Sequence, residues 1–218
     1  MSGTGRRFDA VLFDLGGVVF PSPFEAWAEY ERELGIEVGF IRTVVARSGE
    51  HGAWARHERG EIDLAGFCAA FEAECLAAGP QGSSVSAAEV MRRLMSRPHP
   101  RAEMLAAIGR IREDQRRVGA LTNNVVPMAE TDSDALSVLG PLFDVIVESS
   151  VEGLRKPDPA IYHLACDRLG VAAERTVFLD DLGVNLKPAR ALGMHTIKVI
   201  ESQAALAELA DALEIRLT

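Results

Sequence analysis

Four places in this chain put a charged or hydroxyl side chain at the end of an apolar run or beside a proline-fixed turn. Asp14 closes the run Ala10-Val11-Leu12-Phe13 and is followed by Gly16-Gly17. Thr122 closes Val118-Gly119-Ala120-Leu121 and precedes Asn123-Asn124. Lys156 lies in Arg155-Lys156-Pro157-Asp158-Pro159, and Asp180-Asp181 follow Val177-Phe178-Leu179. A short apolar run ending on a polar residue reads as a buried strand. In open α/β sheets, ligands bind just beyond the carboxyl ends of the strands. The glycines after Asp14 let the chain turn sharply and approach a ligand, and Gly16 is a candidate for positive φ. Asp158 is a suitable helix N-cap and Pro159 a suitable first helical residue, so the backbone beside Lys156 is fixed. Two adjacent carboxylates at a buried strand end repel one another and call for a cation.

These residue types suit a definite chemistry. A carboxylate such as Asp14 can attack phosphorus and form an aspartyl-phosphate. Mg²⁺ held by Asp14 and Asp181 lets the two anions meet. Thr122 and Lys156 supply donors for charge developing on the equatorial oxygens. Each residue also has a plain structural reading: a Thr/Asn turn, a solvated lysine, an N-cap aspartate. Three rivals share the constellation. Asp14 attacking carbon gives a dehalogenase, which needs no metal and leaves the Asp180-Asp181 pair unexplained. A non-catalytic phosphate-binding module keeps the fold without turnover. A phosphotransferase uses the same covalent intermediate.

The elements that position these residues follow from periodicity. Strands are expected at 10–13, 118–121, 145–147, 176–179 and 196–199, alternating with helices at 102–113, 160–169, 186–192 and 204–213. That alternation predicts an α/β fold with a parallel sheet covered on both faces. Residues 22–97 read as helices throughout, including 24–34, 64–78 and 87–95, with a Gly/Ser-rich loop at 76–85. A helical block inserted after the first strand is placed to act as a lid. The 218 residues, 48% hydrophobic, suit one α/β domain with an insertion or two small domains. The formal net charge of -9 disfavours nucleic acid as a partner. No apolar run approaches the ~20 residues of a membrane span, and no signal-peptide core is present. Cys68, Cys75 and Cys166 are scattered without metal or disulfide spacing, which predicts a reduced, cytoplasmic protein. Cys68, Phe71 and Cys75 share a helix face and read as core.

Phe143-Asp144-Val145-Ile146-Val147-Glu148-Ser149, Lys156-Pro157-Asp158-Pro159-Ala160-Ile161-Tyr162, and the stretch from Val177 through Asp180-Asp181-Leu182-Gly183-Val184-Asn185 to Arg190 carry a resemblance. In order and spacing the chain resembles the haloacid dehalogenase-like hydrolase superfamily over nearly its whole length. Within it, the chain is similar to the N-terminal phosphatase domain of soluble epoxide hydrolases and to bacterial sugar-1-phosphate phosphatases. The resemblance implies a Rossmann-like three-layer core, 1–20 and 98–218, with an all-helical cap, 21–97. It implies Asp14 as nucleophile and Mg²⁺ bound by Asp14, the Gly16 carbonyl and Asp181, with Asp180 assisting. The substrate is then a small phosphate ester, met by Gly16, Gly17, Asn123 and Asn124, and the protein a monomer or homodimer. His57-Glu58-Arg59-Gly60-Glu61-Ile62 resembles a cap segment of this subgroup, with His57, Glu58 and Arg59 as candidate substrate contacts.

One position departs from the family's pattern. Its phosphatases usually carry an acid/base aspartate two residues after the nucleophile, where this chain has Gly16. General acid catalysis contributes about 10²–10⁴-fold, so a slow enzyme, a taste for good leaving groups, an acid borrowed from the cap, or an idle site is expected.

Overall fold

In the computed structural model, residues 6–96, 99–125 and 139–217 are described. Five strands form one parallel sheet: β1 (Ala10–Phe13), β2 (Arg117–Thr122), β3 (Val145–Glu148), β4 (Thr176–Asp180) and β5 (His195–Lys198), in the order β3-β2-β1-β4-β5. The three central strands are almost wholly buried, as the strands of a sheet covered on both faces must be. Alternate residues serve the two sides. Val11, Phe13, Val118, Ala120, Val177 and Leu179 join one apolar cluster, while Ala10, Leu12, Leu121 and Phe178 join another.

Between β1 and β2 the chain builds a helical block: α1 (Pro23–Leu34), α2 (Phe40–Ser48), α3 (Ala53–Glu58), α4 (Leu64–Ala78) and α5 (Ala87–Met95). Ser22, Asp63 and Ser86 cap α1, α4 and α5 with their side chains. The buried Glu31 carboxylate accepts from the Gly39 and Ile41 amides, which satisfies the start of α2. The block has its own apolar cluster, built from Trp27, Trp54, Phe67, Phe71, Cys75 and Met91 among others. Cys68 packs on its edge.

The sheet is then flanked by α6 (Ala102–Glu113) and, after a short α7 (Ser149–Glu152), by α8 (Pro159–Leu169), α9 (Gly183–Ala191) and α10 (Ser202–Leu213). Helices α6 and α10 cover one face, and α8 and α9 the other. Three layers result, as the alternation of elements in the sequence predicts.

Two local differences have clear causes. The expected loop at 76–85 is shorter than its composition suggests. Helix α4 runs to Ala78, and Pro80–Ser84 form a 3₁₀ turn pressed onto it. A Cβ at Gly82 would stand 1.8 Å from the Cys75 carbonyl oxygen, so this glycine is required by close approach. Helix α9 begins at Gly183 rather than 186, because Leu182 already accepts the first helical hydrogen bonds. Among the described residues, no helix is long and apolar enough to cross a membrane.

Phe71 lies stacked on Phe67 at 5.2 Å and beside Trp54, fully buried at the centre of the helical block. Phe71→Ala should destabilise the fold by about 3–5 kcal/mol, read as a lower urea midpoint.

Candidate active site

The sheet register brings the critical strand ends together. Phe13 pairs with Ala120 on one side and with Leu179 on the other, so Asp14 and Asp180 emerge side by side, with Thr122 one residue further along β2. The Asp14 amide continues the ladder by donating to the Leu179 carbonyl at 2.9 Å. Lys156 arrives from the turn before α8 and buries its ammonium between two carboxylates. Its Nζ lies 2.9 Å from Asp14 Oδ1 and donates to Asp180 Oδ2 at 2.7 Å. Lys156 is 1% exposed. Burial alone would lower its pKa, but Asp14 and Asp180 overcome this and hold it above the ordinary lysine value.

Asp180 is fully engaged. Its Oδ1 accepts from the Leu182 amide at 2.8 Å and from Asn185 Nδ2 at 3.1 Å. Its Oδ2 takes Asn185 Nδ2 at 3.0 Å as well as the lysine. Tyr162 steadies this arrangement by donating its hydroxyl to the Asn185 carbonyl. Among the described residues, Asp181 has no such side-chain partner. Burial and the neighbouring Asp180 charge push its carboxyl up to about 6, against the weaker pull of Lys156, its own backbone amide and Arg42. Burial also pushes Asp14 well up, against the pull of Lys156, and Asp180 and Asp181 add to the rise. Oxygens of Asp14, Asp180 and Asp181 all lie within 4.8 Å of one another. Three carboxylates thus face one ammonium. The donor set is all oxygen and short of positive charge, which fits a hard divalent cation. With Asp180 occupied, Asp14 and Asp181 are the side chains left to hold it.

The two glycines differ in kind. Gly17, not Gly16, takes the left-handed conformation, at φ 79°. A Cβ there would stand 2.3 Å from Asp181 Oδ2, so only glycine lets the turn and Asp181 coexist. At Gly16 the backbone is ordinary, and a Cβ would meet nothing nearer than Pro23 Cδ at 3.8 Å. The expectation of positive φ at Gly16 is therefore corrected to its neighbour.

A cavity of about 520 Å³ opens above these groups. Asp14, Thr122, Lys156 and Asp181 line its floor region, and Phe24, Trp27, Val45, Trp54 and Leu94 from the helical block line its walls. Asn123 and Asn124 border it, yet their amides are spent on the backbone and neighbours. Asn123 accepts from the Lys156 amide at 2.8 Å and donates to the Lys156 carbonyl at 2.9 Å. Asn124 binds Glu148, Ser149 and Ser150 around the start of α7.

The helical-block candidates separate in the same way. The His57 ring stacks on Phe67 at 4.8 Å, with Nδ1 3.0 Å from the Ile62 carbonyl, and lies outside the cavity lining. Arg59 is tied to Glu50 and Glu61 on a second, shallower hollow. The cause is local geometry: His57 and Glu58 are successive residues of α3 about 100° apart, and Arg59 lies just past the helix end. Glu58 is thus the one of the three candidates on the cavity lining, whereas Asn185 and Arg155, also on it, are not singled out by the sequence. The signal for Asn185 was its place in the first turn of the helix after the diacid.

The profile of the haloacid dehalogenase-like hydrolase family matches residues 8–193. The chain belongs to that family. Its five-stranded parallel sheet is of the Rossmann-like kind. Mouse acyl-CoA dehydrogenase family member 10 is 36% identical over 207 residues, spanning 94% of this chain and 19% of that protein. Pig bifunctional epoxide hydrolase 2 is 34% identical over 219 aligned positions, 95% of this chain and 39% of the relative. The chain therefore spans well under half the length of these two relatives. A sesquiterpene phosphatase of Aspergillus oryzae is 28% identical over 93% of this chain and 95% of its own length. Among solved structures, a predicted HAD-like hydrolase from Porphyromonas gingivalis superposes with a TM-score of 0.71 at 22% identity, covering 96% of this chain and all of that one. A HAD enzyme from Bacteroides thetaiotaomicron, complexed with magnesium and inorganic phosphate, gives 0.60 at 20% identity over 88% and 93% of the two chains. Both likenesses are of fold.

Gly17→Ala should displace Asp181 and cost at least about tenfold in Mg²⁺ affinity, measured by calorimetry. Retained affinity would show that Asp181 is not a ligand.

Proposed function

We propose that this chain is a Mg²⁺-dependent phosphomonoester hydrolase that works through a phospho-aspartate on Asp14 and favours substrates with an apolar alcohol part. The observation that carries the reading is the buried lysine clamped between Asp14 and Asp180, with Asp181 beside it and, among the described residues, in no salt bridge. This gives a fixed cation for a phosphoryl oxygen and an unfilled charge deficit next to it. Asp14, the Gly16 carbonyl and Asp181 are the groups that would hold Mg²⁺, which supplies charge neutralisation at phosphorus. The diacid favours this reading over a metal-free attack on carbon.

In the first step an Asp14 oxygen bonds to phosphorus as the ester P–O bond breaks. Lys156 and the Thr122 hydroxyl donate to the oxygens on which charge builds. Water then attacks phosphorus, the Asp14–phosphorus bond breaks, and phosphate leaves. With glycine at 16, no side chain there hands a proton to the departing alcohol. Phe24, Trp27, Val45 and Trp54, which share the lining with Arg42, Glu50 and Arg93, support an apolar leaving part, as does likeness to a sesquiterpene phosphatase over nearly that protein's full length.

Hydrolysis of an aryl phosphate should require Mg²⁺ and stop with EDTA, and Asp14→Asn should abolish it in a folded protein. Activity indifferent to chelation would revive the dehalogenase. No turnover of any activated phosphate would favour the non-catalytic module.

The rate should also fall steeply as leaving-group pKa rises. A Cβ at Gly16 meets nothing nearer than Pro23 Cδ at 3.8 Å, and Gly16→Asp should flatten that slope, raising kcat for alkyl esters by up to about 10²-fold. A shallow slope in the unmodified protein would mean that another group already serves as acid.

A further inference from the structure

The segment from His57 to Ile62 was expected to touch substrate, yet His57 and Arg59 turn away from the cavity. What the segment does instead is visible in its buried carboxylate. Glu58, 7% exposed at the end of α3, sits where the helical block meets the turn that carries Lys156. Its Oε2 accepts from Arg155 Nε at 2.7 Å and from Asn123 Nδ2 at 3.4 Å. Its Oε1 accepts from the indole Nε1 of Trp54 at 2.9 Å. Arg155 immediately precedes Lys156, and Asn123 clamps both backbone groups of Lys156. The same carboxylate is thus one bond from each of the two residues that fix the lysine's backbone.

The surrounding contacts give this joint a fixed geometry. Arg155 also binds Glu50 at 2.6 Å, and Glu50 in turn binds Arg59 at 3.2 Å. Gly60, just past α3, lets the chain lie against the core, since a Cβ there would stand 2.7 Å from the Ser150 carbonyl oxygen. Trp54 packs edge-on against Trp27, and both line the cavity wall. A ligand's apolar part resting on Trp54 therefore bears on a side chain that is hydrogen-bonded to Glu58.

We infer that Glu58 is a positioning residue, coupling the cavity wall at Trp54 to the aim of Lys156 through Arg155 and Asn123. Lysine is a compact charge on a flexible four-carbon stem, so its direction depends on where its backbone is held. Removing one partner of a buried charged pair leaves the other uncompensated and free to rearrange. Small displacements of a catalytic group carry large rate costs. Glu58 itself does no chemistry in this scheme, because both its oxygens are engaged. The functional consequence rests on the phosphatase reading of Lys156, whereas the mechanical link does not.

The test pairs Glu58→Gln, approached from the helical block, with Arg155→Gln, approached from the core, so that one misfolded variant does not end it. Amide hydrogen exchange is followed in peptides covering Arg155 and Lys156, with β4 peptides as the internal reference. Both variants should exchange faster at the Lys156 amide and leave β4 unchanged. With Mg²⁺ and a small aryl phosphate, each should lower kcat by about ten- to a hundredfold while KM changes much less. Unchanged exchange at Lys156 overturns the inference. So does a raised KM with kcat intact, which would make Glu58 a ligand contact. If the unmodified protein hydrolyses no phosphate, the phosphatase reading fails, and the exchange data alone still decide whether Glu58 holds Lys156.

Discussion

The site is organised around one buried ammonium. A lysine taken fully out of water survives as a cation only if the attraction of nearby carboxylates exceeds the cost of desolvation. Here Asp14 and Asp180 lie within 3 Å of it on either side. That requirement fixes much else. The ends of β1 and β4 must be neighbours, which the strand order guarantees. The turn before α8 must reach back over the sheet edge. Asn185 and the Leu182 amide must saturate Asp180 so that it serves the lysine alone. What remains is Asp181, half-buried, held up to about 6 and, among the described residues, in no salt bridge of its own.

The fold was legible where the physics is local. Buried parallel strands are apolar on both faces, so their runs stood out with boundaries within a residue or two. Asp14, Thr122, Lys156 and the diacid were legible because they end such runs or follow them at helix starts. Partnerships across the structure were not. Asn123 and Asn124 have the residue type of ligand binders but serve as backbone ties, and nothing in their spacing distinguishes the two uses. The phase of α3 was equally hidden, because six residues give too few turns to reveal which of His57, Glu58 and Arg59 faces inward.

Two apolar environments with different duties also emerge. The sheet clusters hold the floor rigid by packing helices on both faces. The cluster of the helical block does double work, since Trp27 and Trp54 belong to its core and also form the cavity wall. Shape selectivity at the wall is therefore tied to the stability of the block, and exchanging either indole for a smaller side chain alters both.

The glycine pair has a consequence for how such a site can diversify. Residue 17 is locked by backbone conformation and by the carboxylate pressed against it, so its identity is dictated by the architecture. Residue 16 is under no such compulsion. The turn itself therefore leaves residue 16 open to a side chain, whereas any change at residue 17 must displace the carboxylate beside it.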